Sequence, residues 1–541
     1  MSQKMRHMRR AIAALGIAGT LVLAGCASGG TTSGGDGTSA AAGGSGMHAP
    51  GPVGDQEDAG TPKDGGTLTF GTFNFPRSLD PTHTRASGAV GGTELAAIYD
   101  VLVRPDYDSG GFVPQLAEKL EHNDDYSQYT VTLRDGATFS DGTPLDADAV
   151  VWSIRRYLDS KFDLAPTMSA IIKQISTPDP QTVVFELNRP WTRFPVLLTT
   201  GAGYIVAPSA VDGGTFTPIG AGPYTVDHFA QQEELVLDAR DGYYGGRPHI
   251  DTLRFVPSSG AKGNLDALNA GDVDMVYMLQ DRQIIQQAID RGYPGYLAEM
   301  GLGQNIVINT VDPRPGSDMR VRQAISHAID RDQYVQRVQN GLGDYTGEML
   351  APNSMWDVDV PGTTFDPEQA KKLLAEAKAD GYSGKISLQT SSDQFSMSAA
   401  QTIQASLNAV GFDCSLDAAP DPAAGAQQVF NERDFDLSRQ SFAMLDEAPY
   451  IRLQGSLGSG SGNNPGGYSD AQMDALLSQL QTATSRDDRN AILGKIQQRI
   501  NETVPYMILG PMAAFTGWND TVHGLQRTTA NIWLFNDAWI S

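Results

Sequence analysis

The chain of 541 residues contains only two cysteines, Cys26 and Cys414, so no disulfide framework can organise it. Two soft ligands are also too few for a thiolate metal site. Basic residues are scarce: 39 Lys and Arg stand against 63 Asp and Glu, a formal charge of −24. A nucleic-acid binder needs a basic patch to neutralise phosphates, so this balance argues against that class. The eight histidines form no H-E-x-x-H or other close pair. There is no G-x-S-x-G elbow, no P-loop, and no glycine fingerprint between a strand and a helix. With 63 carboxylates a chance acid/base pair is expected and carries no weight. We therefore expect no metal, no cofactor and no enzymatic activity; a secreted hydrolase is the one enzyme-class rival. No stretch approaches the roughly 18 apolar residues of a membrane span.

What is present begins with a basic segment, Met1–Arg10, and an uncharged apolar one, Ala11–Leu23. Together they read as a secretory signal peptide over residues 1–25. Its end, Leu23-Ala24-Gly25-Cys26, resembles a bacterial lipobox, in which Cys26 is acylated and becomes the new N-terminus. Each buried CH₂ contributes about 0.8 kcal/mol, so more than one acyl chain makes anchoring stable. Residues 26–62, rich in Gly, Ser, Thr and Ala, cannot bury enough surface to offset their ordering entropy and read as a flexible tether. The body is then expected on the extracytoplasmic side of a cell membrane, held by lipid.

The most informative stretch is Pro114–Leu158. Tyr129–Leu133 alternates polar and apolar residues as a half-buried strand does. Asp135-Gly136 is a turn signal and Thr138-Phe139 resumes an extended run, which predicts a hairpin. Asp146 or Asp148 can cap a helix with the apolar stripe Val150, Val151, Ile154 and Leu158. Further on, Gly66–Phe70, Thr182–Leu187, Leu235–Ala239, Leu253–Val256 and Gln304–Thr310 read as strands, and Gly91–Val101 and Met319–Tyr334 as helices. Pro367–Asp380 (helix), Lys385–Gln389 (strand), Met397–Val410 (helix) and Phe412–Leu416 (strand) alternate as in a second α/β lobe. Cys414 reads as a small half-buried apolar residue.

These motifs carry a resemblance. Pro114–Glu118 (PQLAE), Tyr129–Gly136 (YTVTLRDG) and Phe139–Val150 (FSDGTPLDADAV) resemble the signature of the extracytoplasmic solute-binding proteins of the peptide/nickel class, family 5, which serve ABC importers. So do Pro218–Tyr224 (PIGAGPY), Asp241–Asp251 (DGYYGGRPHID), Ala267–Met275 (ALNAGDVDM) and the run from Val321 to Arg331, all in the family's order. The resemblance implies a bilobal, periplasmic-binding-protein-like α/β fold with mixed sheets, a hinge between lobes and an extra small domain. It assigns residues 63–105, 215–300 and 506–541 to domain I, 106–214 to the small domain II, and 301–505 to domain III. The expected partners are a short peptide or other small solute and the permease and ATPase subunits of an importer; the protein is expected to be a monomer.

The resemblance also implies a site. Family members carry a Trp, then an Asp four residues before a Pro, and that Asp takes the ammonium of a bound peptide. Counting back from Pro449, this chain has Leu445 at the Asp position, Asp446 one residue later, and Phe442 at the Trp position. A one-residue slip on a strand turns a side chain to the other face, so a cleft-facing Asp446 would need a bulge. The candidates are Asp446 or Glu447 for the ammonium, Arg439 or Arg85 for the carboxylate, with Ser87, Asn305, Phe442, Leu445 and Tyr506 near the ligand. A metal chelate, opine, glutathione-like thiol or porphyrin is the alternative cargo, and a transport-inactive regulatory envelope lipoprotein the alternative role.

Overall fold

Strand Tyr506–Trp518 is buried along its whole length, and its antiparallel neighbour Gly295–Ile308 nearly so. Such a pair has to lie in the middle of a sheet covered on both faces. The computed structural model describes residues 48–54 and 60–541, which lie within one compact unit, Gly44–Ser541. In it the two long strands join two half-sheets into one mixed sheet of eleven strands. On one side the order is Tyr224–Ala230, Glu234–Ala239, Thr252–Pro257, Thr67–Thr72, Met275–Leu279; on the other it is Leu437–Met444, Lys385–Ser391, Asp413–Ala419. The parallel pair Lys385–Ser391 and Asp413–Ala419 is bridged by helix Gln394–Ala409.

The register of the long pair breaks between Met300 and Gln304. Gly303 sits in the break at φ +42°, and a Cβ there would lie 2.2 Å from the Gly510 carbonyl oxygen. Only glycine lets the two strands cross this closely. Apolar cores lie on both sides of the break: one holds Leu68, Phe70, Tyr277 and Trp518, the other Ile306, Ile308, Leu388 and Leu437. A third core, with Tyr129, Val131, Ile154 and Phe185, backs a separate four-stranded sheet built from Ala117–His122, Gln128–Leu133, Ile172–Asp179 and Thr182–Leu187.

Several expectations change. The strand Gln128–Leu133 pairs with Ala117–His122 and Thr182–Leu187, not with Thr138-Phe139. Residues 137–145 instead close a tight loop through a Thr138–Pro144 bridge, and Arg240 caps its carbonyls at Thr138 and Phe139. Asp146, not Asp148, caps the following helix, Ala147–Ser160, through the Ala149 N–H. The helix expected over Met319–Tyr334 is two, Met319–Ala328 and Arg331–Val338, because Ile329 is extended and Asp330 caps the second. The tether is shorter than expected: Gly51–Val53 pairs with Gly295–Leu297, and Val53 enters the core. Residues 1–25 and Cys26 lie outside the described residues. Cys414 is buried, which pushes its thiol up to about 12.

Helix Gly92–Tyr99 is buried at every position, including Glu94. The Oε1 of Glu94 has no hydrogen-bond partner among the described residues, and burial raises its carboxyl to about 7. In the unfolded chain the group titrates near its ordinary value of 4.5. Between these values the folded state binds the extra proton, so stability from this group is present at low pH and lost as pH rises through 7. The loss amounts to about 2 kcal/mol between pH 5 and pH 7. Glu94→Gln is expected to lose this pH dependence. Thermal denaturation of both proteins at pH 5 and pH 7 checks it; parallel curves would show that Glu94 stays ionised or finds a partner.

Candidate functional site

Beside the register break lies a cavity of about 320 Å³. Strands supply its floor through Tyr277, Tyr296, Glu299, Met300 and Met512. Five further segments contribute: Ser87 with Ala89, Tyr107, the loop Asn353–Met355, the turn Leu445–Glu447, and the segment with Arg527, Ala530 and Asn531.

The turn Leu445–Glu447 explains how a shifted acid still reaches the ligand space. Strand Leu437–Met444 ends at Met444, and Pro449 opens helix Pro449–Leu457 at its first position. The three residues between are off the pleat, so strand alternation does not apply, and Leu445, Asp446 and Glu447 all line the cavity. No bulge is required.

The two acids differ in what they already hold. Both oxygens of Asp446 accept bonds from the loop above, one from Ser354 Oγ and one from the Met355 N–H at 2.7 Å. Its carbonyl accepts from Trp356 Nε1 at 2.8 Å. Burial raises the Asp446 carboxyl despite these donors. Asp446 thus clasps the loop over the cavity. Glu447 is buried, and only its Oε1 is taken, by the Tyr107 hydroxyl at 2.6 Å. The Tyr107 oxygen also lies 3.0 Å from the Thr528 carbonyl, so it touches two other chain segments. Arg193 fixes the turn from behind, donating to the Glu447 carbonyl at 2.6 Å and the Gly110 carbonyl at 2.5 Å. Burial lowers that guanidinium to about 10.

Two arginines complete the electrostatics. Arg282 is buried and paired with Glu299 at 2.5 Å. Arg527 is held between two rings, its Cζ 3.7 Å from the centroid of Tyr107 and 4.1 Å from that of Tyr296.

Of the residues singled out from sequence, Ser87, Leu445, Asp446 and Glu447 line the cavity. The other five do not. Arg85 pairs with Asp163 at 3.1 Å. Arg439 reaches Ser396 Oγ at 2.5 Å and lies over Phe395. Asn305 is buried and donates to the Gly303 carbonyl at 3.2 Å. Phe442 packs edge-on against Tyr506, whose hydroxyl donates to the Ser456 carbonyl at 2.6 Å. Phe442 shares a strand face with Met444 and packs in the same core, but only Met444 reaches the cavity wall. Arg527, Tyr107, Tyr296 and Glu299 went unnoticed. Tyr107 did leave a signal, an exposed aromatic inside the turn sequence Asp106-Tyr107-Asp108-Ser109-Gly110.

An α/β chain whose cavity lies where crossing strands and inter-element loops converge has the form of a solute-binding protein. The chain belongs to the bacterial extracellular solute-binding proteins, family 5, whose middle region matches residues 111–464. It is similar to a probable di/tripeptide-binding protein of Pseudomonas aeruginosa, 27% identical over 85% of this chain and 93% of the relative. It is also similar to heme-binding protein A of Haemophilus influenzae, 23% identical over 85% and 90%. Among solved structures, the oligopeptide-binding protein AppA of Bacillus subtilis, with a nonapeptide, matches with a TM-score of 0.72, 22% identity, and coverage of 89% of this chain and all of AppA. The binding protein AgaA of A. tumefaciens, with agropinic acid, gives 0.72, 26%, and 88% and 99%. Proteins of this family lie outside the cytoplasm and work with ABC permease and ATPase partners. Among the described residues no helix is long and apolar enough to cross a membrane.

Proposed function

We propose that this protein captures short peptides for an ABC importer, and that Glu447 receives their ammonium group. The observation that carries this is the half-free carboxylate. Glu447 Oε1 is occupied by Tyr107, while no hydrogen bond holds Oε2 among the described residues. A buried carboxylate needs donors, and an ammonium supplies them with charge. The name of the Pseudomonas relative points the same way. Asp446, engaged by the loop, is the positioning residue beside it. Arg85 and Arg439 are withdrawn as carboxylate receivers, since each is committed outside the cavity.

The moving bodies in this reading are the three domains expected from sequence, 63–105 with 215–300 and 506–541, then 106–214, then 301–505. Ligand closes them only by preferring the closed form. Tyr107 and Arg193, from the second body, already touch Glu447 of the third. Acylated Cys26 anchors the monomer to the membrane in this reading.

Mass spectrometry of ligand retained after native purification is the test. Recovered short peptides are expected. A single non-peptide species, such as a heme or an opine, would replace this reading with the alternative cargo. For the anchor, Cys26→Ala is expected to move the protein from the membrane fraction to the soluble one; persistent membrane association would refute acylation.

A further inference from the structure

Arg527 stands apart from the other arginines of the site. Arg282 has Glu299, and Arg193 has two carbonyls. The guanidinium of Arg527 has no hydrogen bond or ion pair with any described residue, yet it lines the cavity and is half-buried. Its Cζ lies over the rings of both Tyr107 and Tyr296. A guanidinium carries five N–H donors, all in its plane. Two aromatic rings within about 4 Å of its Cζ hold the guanidinium in place while its donors remain unpaired.

We propose that Arg527, clamped between Tyr107 and Tyr296, is the carboxylate receiver of the site, and that the cavity therefore selects di- and tripeptides with a free C-terminus. This rests on the peptide reading of the same cavity. A planar carboxylate matches the fork of a guanidinium through two parallel bonds. The wall also holds Asp446 and Glu447, and neither pairs with Arg527. The cavity thus presents one cation and one half-free carboxylate, separately held. Tyr107 touches both, its ring under Arg527 and its hydroxyl on Glu447, so one side chain sets their spacing.

This arrangement suits a zwitterion. A ligand with an ammonium alone leaves Arg527 without its anion once water is excluded, and a ligand with a carboxylate alone leaves Glu447 without its cation. Each orphan costs the full desolvation of a charged group. Size narrows the choice further. At about 320 Å³ the cavity lies at the low end of the range for ligand sites, and takes about two or three residues. Met300, Met444 and Met512 line the remainder, and flexible thioethers accept varied side chains. Selection therefore falls on the termini and the length rather than on the side chains.

The test titrates the full-length protein, freed of retained ligand, with a panel of di- and tripeptides as free acids and as C-terminal amides. The wild type is expected to bind the acids at least about 30-fold tighter than the amides. Arg527→Met, which keeps an apolar stem between the rings, is expected to weaken the acids by a similar factor. It should leave the amides within about threefold, and Arg527→Lys should recover part of the loss. Acids and amides bound alike by the wild type would overturn the proposal while leaving the peptide reading intact. So would an Arg527→Met protein that loses both equally, the mark of a structural role. If Arg527→Met does not fold, the wild-type acid/amide ratio decides alone. No binding by any peptide of the panel would overturn the peptide reading, and the selection rule with it.

Discussion

Glu447→Gln is expected to weaken binding of a short peptide by about 30- to 5000-fold, with little change in the melting temperature of the ligand-free protein. Removing one partner of a buried, hydrogen-bonded charge pair costs about 2–5 kcal/mol, most of it the penalty of leaving the other charge unpaired. Glutamine keeps the shape and can still accept from the Tyr107 hydroxyl, so the turn should survive. What is lost is the charge opposite the ammonium. Peptides with an acetylated amino terminus supply the control: they should bind the wild type weakly and lose little more in Glu447→Gln, because the interacting group is already gone. Asp446→Asn should behave differently. Its oxygens hold Ser354 Oγ and the Met355 N–H, and an amide cannot accept at both positions, so the loop over the cavity loosens and stability falls. Calorimetric titration of the two variants against free and acetylated peptides separates the roles. Unchanged affinity in Glu447→Gln would remove Glu447 as the ammonium receiver.

The fold was readable because its signals are local and redundant. The turn at Asp135-Gly136, the cap at Asp146 and the alternation of Gln128–Leu133 each lie within a few residues of what they specify. Pairing is less local. The partner of Gln128–Leu133 was misjudged because Thr182–Leu187 lies some fifty residues away and nothing in either strand names the other. The site is legible only in part for the same reason. Residues 445–447 could be found because they sit at the end of one strand, and their common orientation follows from its termination before Pro449. Arg527 could not. Its role depends on two tyrosines, 107 and 296, brought from distant parts of the chain, and its own neighbours in sequence are unremarkable. Conversely, Arg85 and Arg439 looked available because sequence does not show that Asp163 and Ser396 already hold them.

Glu299→Gln carries the largest expected loss of stability. Arg282 and Glu299 are both buried, at 1% and 7% side-chain exposure, so neither charge can fall back on water. Breaking such a pair by removing one member costs about 3–5 kcal/mol, because the remaining charge stays buried. The location makes the loss consequential. Glu299 lies on Gly295–Ile308, one residue before the register break, and Arg282 begins helix Arg282–Asp290. Arg282 also donates to the Pro511 carbonyl, on the other long strand, at 3.1 Å. One guanidinium therefore ties the helix to both strands where they cross. The melting temperature of ligand-free protein is expected to fall by about 3–5 °C, the ligand-free state being needed because bound ligand raises it. The double variant Arg282→Met with Glu299→Gln should recover much of the loss, since it removes the stranded charge together with its partner. That recovery separates a charge effect from a packing one. A single variant that melts with the wild type would mean that the crossing is held by the apolar contacts of the two strands alone, and that the ion pair has a purely local part in shaping the cavity floor.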